Sequence, residues 1–562
     1  MAKIVRLEIE NFRGIKSLDW SLPDTNFVCL VGRGDTRKST ILDAIRLVFF
    51  PTWNPSFDEI DFFNCETDKT IKIRATICSL PAEFLSQAKY GNYLRGWDPE
   101  TKTLHDEADD ALSDALTVEL RIDKALEPKW KVITDRHSDD KSFSAGDRVR
   151  LRATYIGVYA DRHLSWAKNS ALSDLTDTDN ISELLSGAAA TARNALDEKR
   201  DTDLSNFDAA AGKVEAVAKD LGVPVLSSFK AHLDATSVNI QVGGLTLHDG
   251  DLPLRKLGLG SRRMLTSGIQ KAGLDNPHIT LIDEFEYGLE PHRISRLLKY
   301  LKNDTAGQYF ITTHSPVVLR ELTIAELFVV HSHEGAIEIV EAAQPALAGS
   351  IQGKIRKGAE AFLSRKVIVC EGATEVGLCK GFDSYWIDQG KESFSFQGVA
   401  MFDAGGGSNV RATAEAIRSL GYDVSVIVDT DDHFTQADAD ALTGIDVTVA
   451  MWEGGLTIEQ FAFAHLPWDY VIASVRLAHS SRGQSIMDQV RAALGHEPGD
   501  IETWEESAAL RAAIGNAAKG ENGWFKRQDR GEEWALAISG ALELDNPLRA
   551  KIQVIRSWID NA

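Results

Sequence analysis

The segment FVCLVGRGDTRKSTILDAIRLVFF constrains the fold of this 562-residue chain more than any other. Its apolar run Phe27 to Val31 predicts a buried strand, and Ile41, Leu42, Ala44, Ile45 and Leu47 recur at helical spacing just after it. Between the two, Gly32, Gly34, Lys38, Ser39 and Thr40 keep the spacing of a phosphate-binding loop. Such a loop works because backbone N–H groups at a strand-to-helix turn point at phosphates, the lysine reaches the outer phosphates and a hydroxyl holds Mg2+. The bland alternative is a glycine-rich turn heading an ordinary helix, so the remainder of the chain decides. Arg37 stands where glycine usually lets the backbone close on the nucleotide. A guanidinium suits phosphate bidentately, so Arg37 is expected to preserve or tighten nucleotide binding while slowing turnover; the alternative is a degenerate loop that binds poorly.

The chain is too long for one core, and about 150 residues per domain gives two to four domains. Strand patterns TIKIRATICSL, ALTVELRI, WKVITD and VRLRATYIGVYA predict a β-rich lobe over 1–164. From 165 to 222 the chain turns Ala-rich and helical in period, with Ile181, Leu184, Leu185, Ala188, Ala192 and Leu196 on one stripe. That insert reads as an arm or dimerisation hairpin, or as a helical layer on its own domain. Strands resume over 223–345, a small-residue linker covers 346–364, and short β-branched runs separated by helical patterns over 365–562 mark a parallel α/β sheet. The whole is expected to be α/β.

Net charge of −22 argues against a surface coated for nonspecific nucleic-acid binding, but leaves room for a local basic groove and for carboxylates that hold metals. Five cysteines without paired spacing give neither a disulfide framework nor a zinc site. No run reaches the roughly 18 apolar residues of a membrane span, and the opening passes straight into a strand pattern with no signal peptide. A soluble, cytoplasmic protein without membrane contact is expected.

The segment ITLIDEFE ends an apolar strand in Asp283 and Glu284, where an aspartate can hold Mg2+ and the next glutamate can polarise an attacking water. LGLGSRRM precedes it with Gly258, Gly260 and Ser261, and FITTHSP follows with His314. In this order the pieces resemble the head ATPases of the ABC superfamily, and the opening LEIENFRGIKSLDWSL is similar to their DNA-repair and chromosome-maintenance branch. The resemblance implies ATP held by Arg13, Gly32, Gly34, Arg37, Lys38, Ser39 and Thr40, with Ser39 and Asp283 on Mg2+. It further implies Glu284 on the water, His314 as γ-phosphate sensor, and Gly260 and Ser261 facing the nucleotide of a second head. The glutamine loop of that branch is not clear; FDEIDFFN lies about where it belongs, with Asp61 as candidate.

In the C-terminal half VIVCEGATE ends a strand in Glu371, with Glu375 one helical turn on, and VIVDTDD ends another in Asp429 and Asp431. Such oxygen-rich clusters bind Mg2+ or Mn2+, the cations of two-metal phosphodiester cleavage. With FDAGGGSN between them, they resemble the Toprim fold, and with the ATPase in front and NGWFK near the end the chain resembles an OLD (overcoming lysogenization defect) family nuclease. The resemblance implies metal ligands at Glu371, Glu375, Asp429, Asp431 and Glu459, with Glu453 in reserve, and Lys526 on the scissile phosphate. Asp403 is expected to shape the Gly405 to Gly407 turn, and Arg262, Arg263, Lys519 and Arg527 are candidate phosphate contacts. The function implied is an ATP-regulated, metal-dependent DNA endonuclease of bacterial anti-phage defence, assembled as a homodimer or higher even oligomer. The rival readings are a DNA-repair clamp and a nucleotide-sensing scaffold acting through a partner toxin, helicase or RNA.

Overall fold

The computed structural model describes residues 2–52, 55–137, 139, 141–151, 153–157, 247–272, 278–343, 348–430, 433–519 and 523–561, with short pieces between 164 and 228. Most of the expected helical insert, and Asp431, lie outside the described residues. The chain divides into two compact units, Leu151–Gly307 and Ala2–Arg150 together with Gln308–Ala562.

In the larger unit the fully buried strand Phe27–Val31 pairs in parallel with Gly307–Thr312 through Tyr309 to Thr312, and on its other side with Leu327–His333. Apolar runs without alternation suit strands covered on both faces. From Leu327–His333 the pairing passes antiparallel to Ala336–Glu341. It continues through Ile15–Ser21 and Lys3–Phe12 to Ile71–Cys78 and Ser113–Ile122. Burial alternates from Arg6 to Asn11, the period of two read from the sequence, and slips at Val5–Arg6 where the register with Ile71–Cys78 shifts. The helix Lys38–Val48 buries Ile41, Leu42, Ala44, Ile45, Leu47 and Val48, the face its spacing predicts.

One expectation fails locally. The pattern VRLRATYIGVYA predicts a strand, but Ala145–Leu151 is a helix and Ala153–Ile156 is extended. Ser144 caps the turn, its Oγ accepting from Asp147 N at 3.2 Å. Arg148, 2% exposed, donates to Phe143 O, Phe50 O and Thr52 O at 2.7, 2.7 and 3.0 Å. Two of these backbone acceptors, Phe50 O and Thr52 O, come from a distant part of the chain, and they override β propensity.

The same unit carries a second sheet of four parallel strands in the spatial order Val399–Asp403, Lys366–Cys370, Asp423–Asp429, Thr448–Trp452. The first strand in sequence therefore lies between the second and third. Chain connections depart in opposite directions there, opening a crevice at the strands' C-terminal ends. Helices from Ile458–His465 to Pro547–Asp560 close over a core that includes Trp452, Phe463, Trp524 and Trp534. In the smaller unit Ala153–Ile156 pairs in parallel with the buried strand His278–Ile282. Among the described residues no helix is long and apolar enough to cross a membrane, and none of the five cysteines forms a disulfide.

Candidate functional site

The phosphate loop has the shape its sequence demands. Gly32 sits at φ 135°, and a Cβ there would meet Val330 O at 2.8 Å, so only glycine fits. Lys38, 4% exposed, folds its ammonium over the loop, donating to Gly32 O at 3.0 Å, Arg33 O at 2.7 Å and Thr36 Oγ1 at 3.2 Å. Gly34 and Ser39 are exposed and Thr40 is half-buried. The first turn of Lys38–Val48 holds no acidic residue, and its N-cap offers no side-chain acceptor. A helix start of that kind fits an anion such as a nucleotide phosphate.

Its N-cap, Arg37, has φ 68° and ψ 20°, the left-handed conformation that makes glycine usual here. A side chain there costs roughly 1–2 kcal/mol. The guanidinium lies over Gly14, where an added Cβ would stand 2.2 Å from Arg37 Nε. Beside it Arg13 is held by Asp61 at 2.8 Å and Asp43 at 2.6 Å. Asp58 heads the short turn Glu59–Asp61, which carries Asp61 to that pair. Arg13 and Asp61 thus meet each other, and with Phe50 and Ser56 they line a cleft beside the helix. His314 is exposed just beyond the strand Gly307–Thr312.

In the smaller unit Asp283 and Glu284 follow the strand His278–Ile282 and are half-buried, Glu284 at φ 46°. Arg263, a candidate phosphate contact from sequence, is instead 2% exposed. It donates to the carbonyls of Gly157, Asp283 and Glu284 at 3.1, 2.5 and 2.8 Å. It fixes the backbone that presents the two acids. Gly260 packs so tightly that a Cβ would meet Gly288 O at 2.5 Å, and Ser261 Oγ accepts from Arg293 at 3.3 Å.

The acids of the C-terminal half converge at the crevice. Glu371 leaves the first strand and Asp429 ends the third; Asp429 N donates to Glu371 Oε2 at 2.9 Å. Glu375, in the first turn of Ala373–Asp388, reaches back to accept from Gly372 N at 2.9 Å. Glu459, in the first turn of Ile458–His465, joins them, and Ile458 N donates to Asp429 Oδ1 at 2.8 Å. Glu375, Asp429 and Glu459 are 4%, 8% and 3% exposed, too buried for carboxylates without compensation. Burial, then Glu459 and Glu371, push Glu375 up to about 8. Burial, then Glu375, Glu371 and Glu459, push Asp429 up to about 9. Burial also raises Glu459, against the lowering effect of Lys526 and Lys519.

Among the described residues no three His, Cys, Asp or Glu side chains already stand at metal-ligand spacing. The donor chemistry nevertheless fits a hard divalent cation: clustered oxygens that repel one another when ionised, and few cations among them. Glu453 does not join; it is exposed and pairs with Lys551 at 2.5 Å. Asp403 takes the expected structural place, accepting from Gly405 N at 2.7 Å, and Arg527 pairs with Asp529 at 2.6 Å.

Lys526 reaches this rim by packing that the sequence reading missed. Helices Ala373–Asp388 and Gln528–Ile538 meet almost backbone to backbone. A Cβ on Gly377 would lie 2.3 Å from Gln528 O, on Gly381 2.6 Å from Glu532 O, and on Gly531 2.6 Å from Thr374 O. Just ahead of that crossing Phe525 stacks on Trp534 at 4.2 Å, and Trp524 Nε1 donates to Gln489 at 2.7 Å. With its two predecessors buried, Lys526 is left exposed beside Glu459. The Gly377-x-x-x-Gly381 spacing was the available signal.

Residues 27–320 match the family model described as an AAA domain, putative AbiEii toxin, Type IV TA system. Residues 362–431 match the overcoming lysogenization defect protein-like TOPRIM domain. No curated protein matches the chain. Among solved structures it is similar to an Smc head domain with an extended coiled coil, bound to the C-terminal domain of ScpA, from Pyrococcus furiosus. Identity is 12% and the TM-score 0.34, over 64% of this chain and 100% of that one. It is also similar to the recombination mediator protein RecF with ATP, at 13% identity and TM-score 0.34, over 60% and 99%. Likenesses at that level carry no argument about function; the two family matches do.

Proposed function

Because the chain belongs to the AAA-domain family described with putative AbiEii toxins, and joins that ATPase domain to an OLD-like TOPRIM domain, we propose that it is an ATP-regulated, divalent-metal-dependent DNA endonuclease of bacterial anti-phage defence. The observation that carries this reading is the convergence of Glu371, Glu375, Asp429 and Glu459 at the C-terminal ends of a parallel sheet, with Lys526 beside them. A binding module has no use for mutually repelling buried acids, whereas a metal nuclease needs them.

In this reading Glu371, Glu375, Asp429 and Glu459 hold the cation, Mg2+ or Mn2+. Such an ion supplies a water acidic enough to attack at neutral pH and a positive charge at the phosphate. Lys526, anchored by the Phe525–Trp534 stack, neutralises charge on the leaving 3′ oxygen. In the ATPase domain Gly32, Lys38, Ser39 and Thr40 receive the nucleotide phosphates. Asp283 and Glu284 serve the metal and the water, His314 senses the γ-phosphate, and Gly260 and Ser261 face a second copy.

Arg37 lies against Gly14. Arg37→Gly is expected to weaken ATP binding severalfold and to raise the hydrolysis rate, both measured on purified protein. Unchanged values for both would remove Arg37 from the nucleotide's surroundings.

The test of the function is incubation of the full chain with supercoiled plasmid in Mg2+ or Mn2+, with and without ATP, beside a Lys38→Ala variant. Metal-dependent nicking or linearisation is expected, with an ATP effect that the variant loses. An intact plasmid under every condition would overturn the reading in favour of a partner-triggered scaffold.

A further inference from the structure

The four parallel strands set their C-terminal ends in a row: Asp403, then Glu371, then Asp429, and beyond the last strand Glu459 at the head of its helix. Three spacings of about 4.8 Å make this edge about 14 Å long, enough to seat several backbone phosphates of a nucleic acid. A row of carboxylates on a chain of net charge −22 repels a polyanion, so any strand laid along it needs local cations. Such cations stand at both ends of the row.

At one end Lys357 closes the helix Ala348–Lys357. Its Nζ lies 3.4 Å from Asp403 Oδ1, and 2.7 Å from where a Cβ on Gly405 would be. The same turn continues to Gly407, whose added Cβ would be 3.5 Å from Glu371 Oε1, so the turn ties Lys357 to the first acid of the cluster. Half of the Lys357 side chain remains in solvent. At the other end Lys519 closes the helix Ala508–Lys519. That helix crosses Ile458–His465 closely at Gly515, whose Cβ would lie 3.1 Å from Gln460 Cα. Gln460 then bridges, its Nε2 donating to Asn516 at 2.7 Å and its Oε1 accepting from Lys519 Nζ at 3.4 Å. Lys519 is thereby held one residue from Glu459 and exposed. Exposed pairs of this length add little to stability, so neither lysine is explained by holding the fold together.

We propose that a nucleic-acid strand crosses this edge from Lys357 to Lys519. Each lysine holds one backbone phosphate, Lys357 at the Asp403 end and Lys519 at the Glu459 end, where Lys526 also stands. The proposal rests on the metal-nuclease reading and deepens it, giving the path of the substrate and two residues that bind its backbone without holding the metal.

The test uses the full chain carrying Asp429→Asn, so that binding is measured without cutting. Fluorescence anisotropy of a labelled duplex is followed over a salt series, in this parent and with Lys357→Ala, Lys519→Ala or, as a control, Lys391→Ala added; Lys391 is an exposed lysine just past the helix Ala373–Asp388. Each phosphate contact contributes about 0.9 to the slope of log K against log salt for duplex DNA. Lys357→Ala and Lys519→Ala are each expected to flatten the slope by about that amount, with Lys→Arg restoring it and Lys391→Ala leaving it unchanged. A parent that binds with a salt-dependent slope which neither substitution alters overturns this path alone, and a change in only one of the two overturns the crossing. A parent that binds neither duplex nor single strand overturns the nuclease reading itself, and the path with it.

Discussion

Asp429→Asn is expected to lower metal-dependent cleavage by at least about 100-fold while leaving a folded protein. Loss of a group that merely orients a ligand costs 10–100-fold, and Asp429 stands among the proposed ligands themselves. The change is sterically mild. Asparagine keeps an Oδ1 to accept from Ile458 N, the contact that joins the third strand to the helix carrying Glu459. It also removes one of the buried acids that repel Glu375. Without metal the variant should therefore melt no earlier than the parent, and later than the parent at alkaline pH. Cleavage of plasmid and thermal melts on the same preparations check both halves. Cleavage at the parental rate would take Asp429 out of the metal centre. Loss of cleavage with a large loss of stability would mean that the residue serves the fold.

The phosphate loop and the acid cluster were legible for the same reason: Gly32, Glu371 and Asp429, candidates from sequence, each follow directly on an apolar run. Phe27 to Val31 dictates the strand before Gly32, Val367 to Cys370 the strand before Glu371, and Val424 to Val428 the strand that ends in Asp429. Glu459 could be found because it opens the helix after the next strand. What sequence did not disclose depends on partners far along the chain. Lys526 itself is named by the family resemblance, but not the glycine-lined helix crossing and the aromatic stack that aim it, since the crossing partners Gly377 and Gly381 lie far from it in the chain. Arg263 looks like a surface cation beside Ser261, yet three backbone carbonyls bury it. Arg37 was read by its chemistry, while the backbone conformation that makes it unusual shows only in three dimensions. Lys357 belongs by sequence to a linker, and gains meaning only when the turn at Gly405 is folded beside it.

Metal-free protein is expected to lose thermal stability as pH rises from about 6 to about 9, and added Mg2+ or Mn2+ to restore it increasingly over the same interval. Asp429 moves from an ordinary value of 3.8 to about 9, and Glu375 from 4.5 to about 8. Both shifts are upward, so between the unfolded and folded values the folded chain binds more protons than the unfolded one. Stability is then complete below the unfolded values and drains away as pH passes through the folded ones. Each pKa unit corresponds to about 1.4 kcal/mol, and in a unit this large one kcal/mol moves the midpoint by about 2 °C or less. Since the acids share one cluster their effects do not add, and a fall of several degrees is the expected scale. A cation binds the ionised carboxylates, so its stabilising effect must grow where protonation no longer competes. Melting curves with chelator and with Mg2+ at a series of pH values separate the two arms, with Asp429→Asn as the internal comparison. A metal-free midpoint that stays flat or climbs through this range would show that the four acids are not packed against one another. A midpoint that falls, but that no divalent cation restores, would leave the buried cluster standing and remove the metal from it.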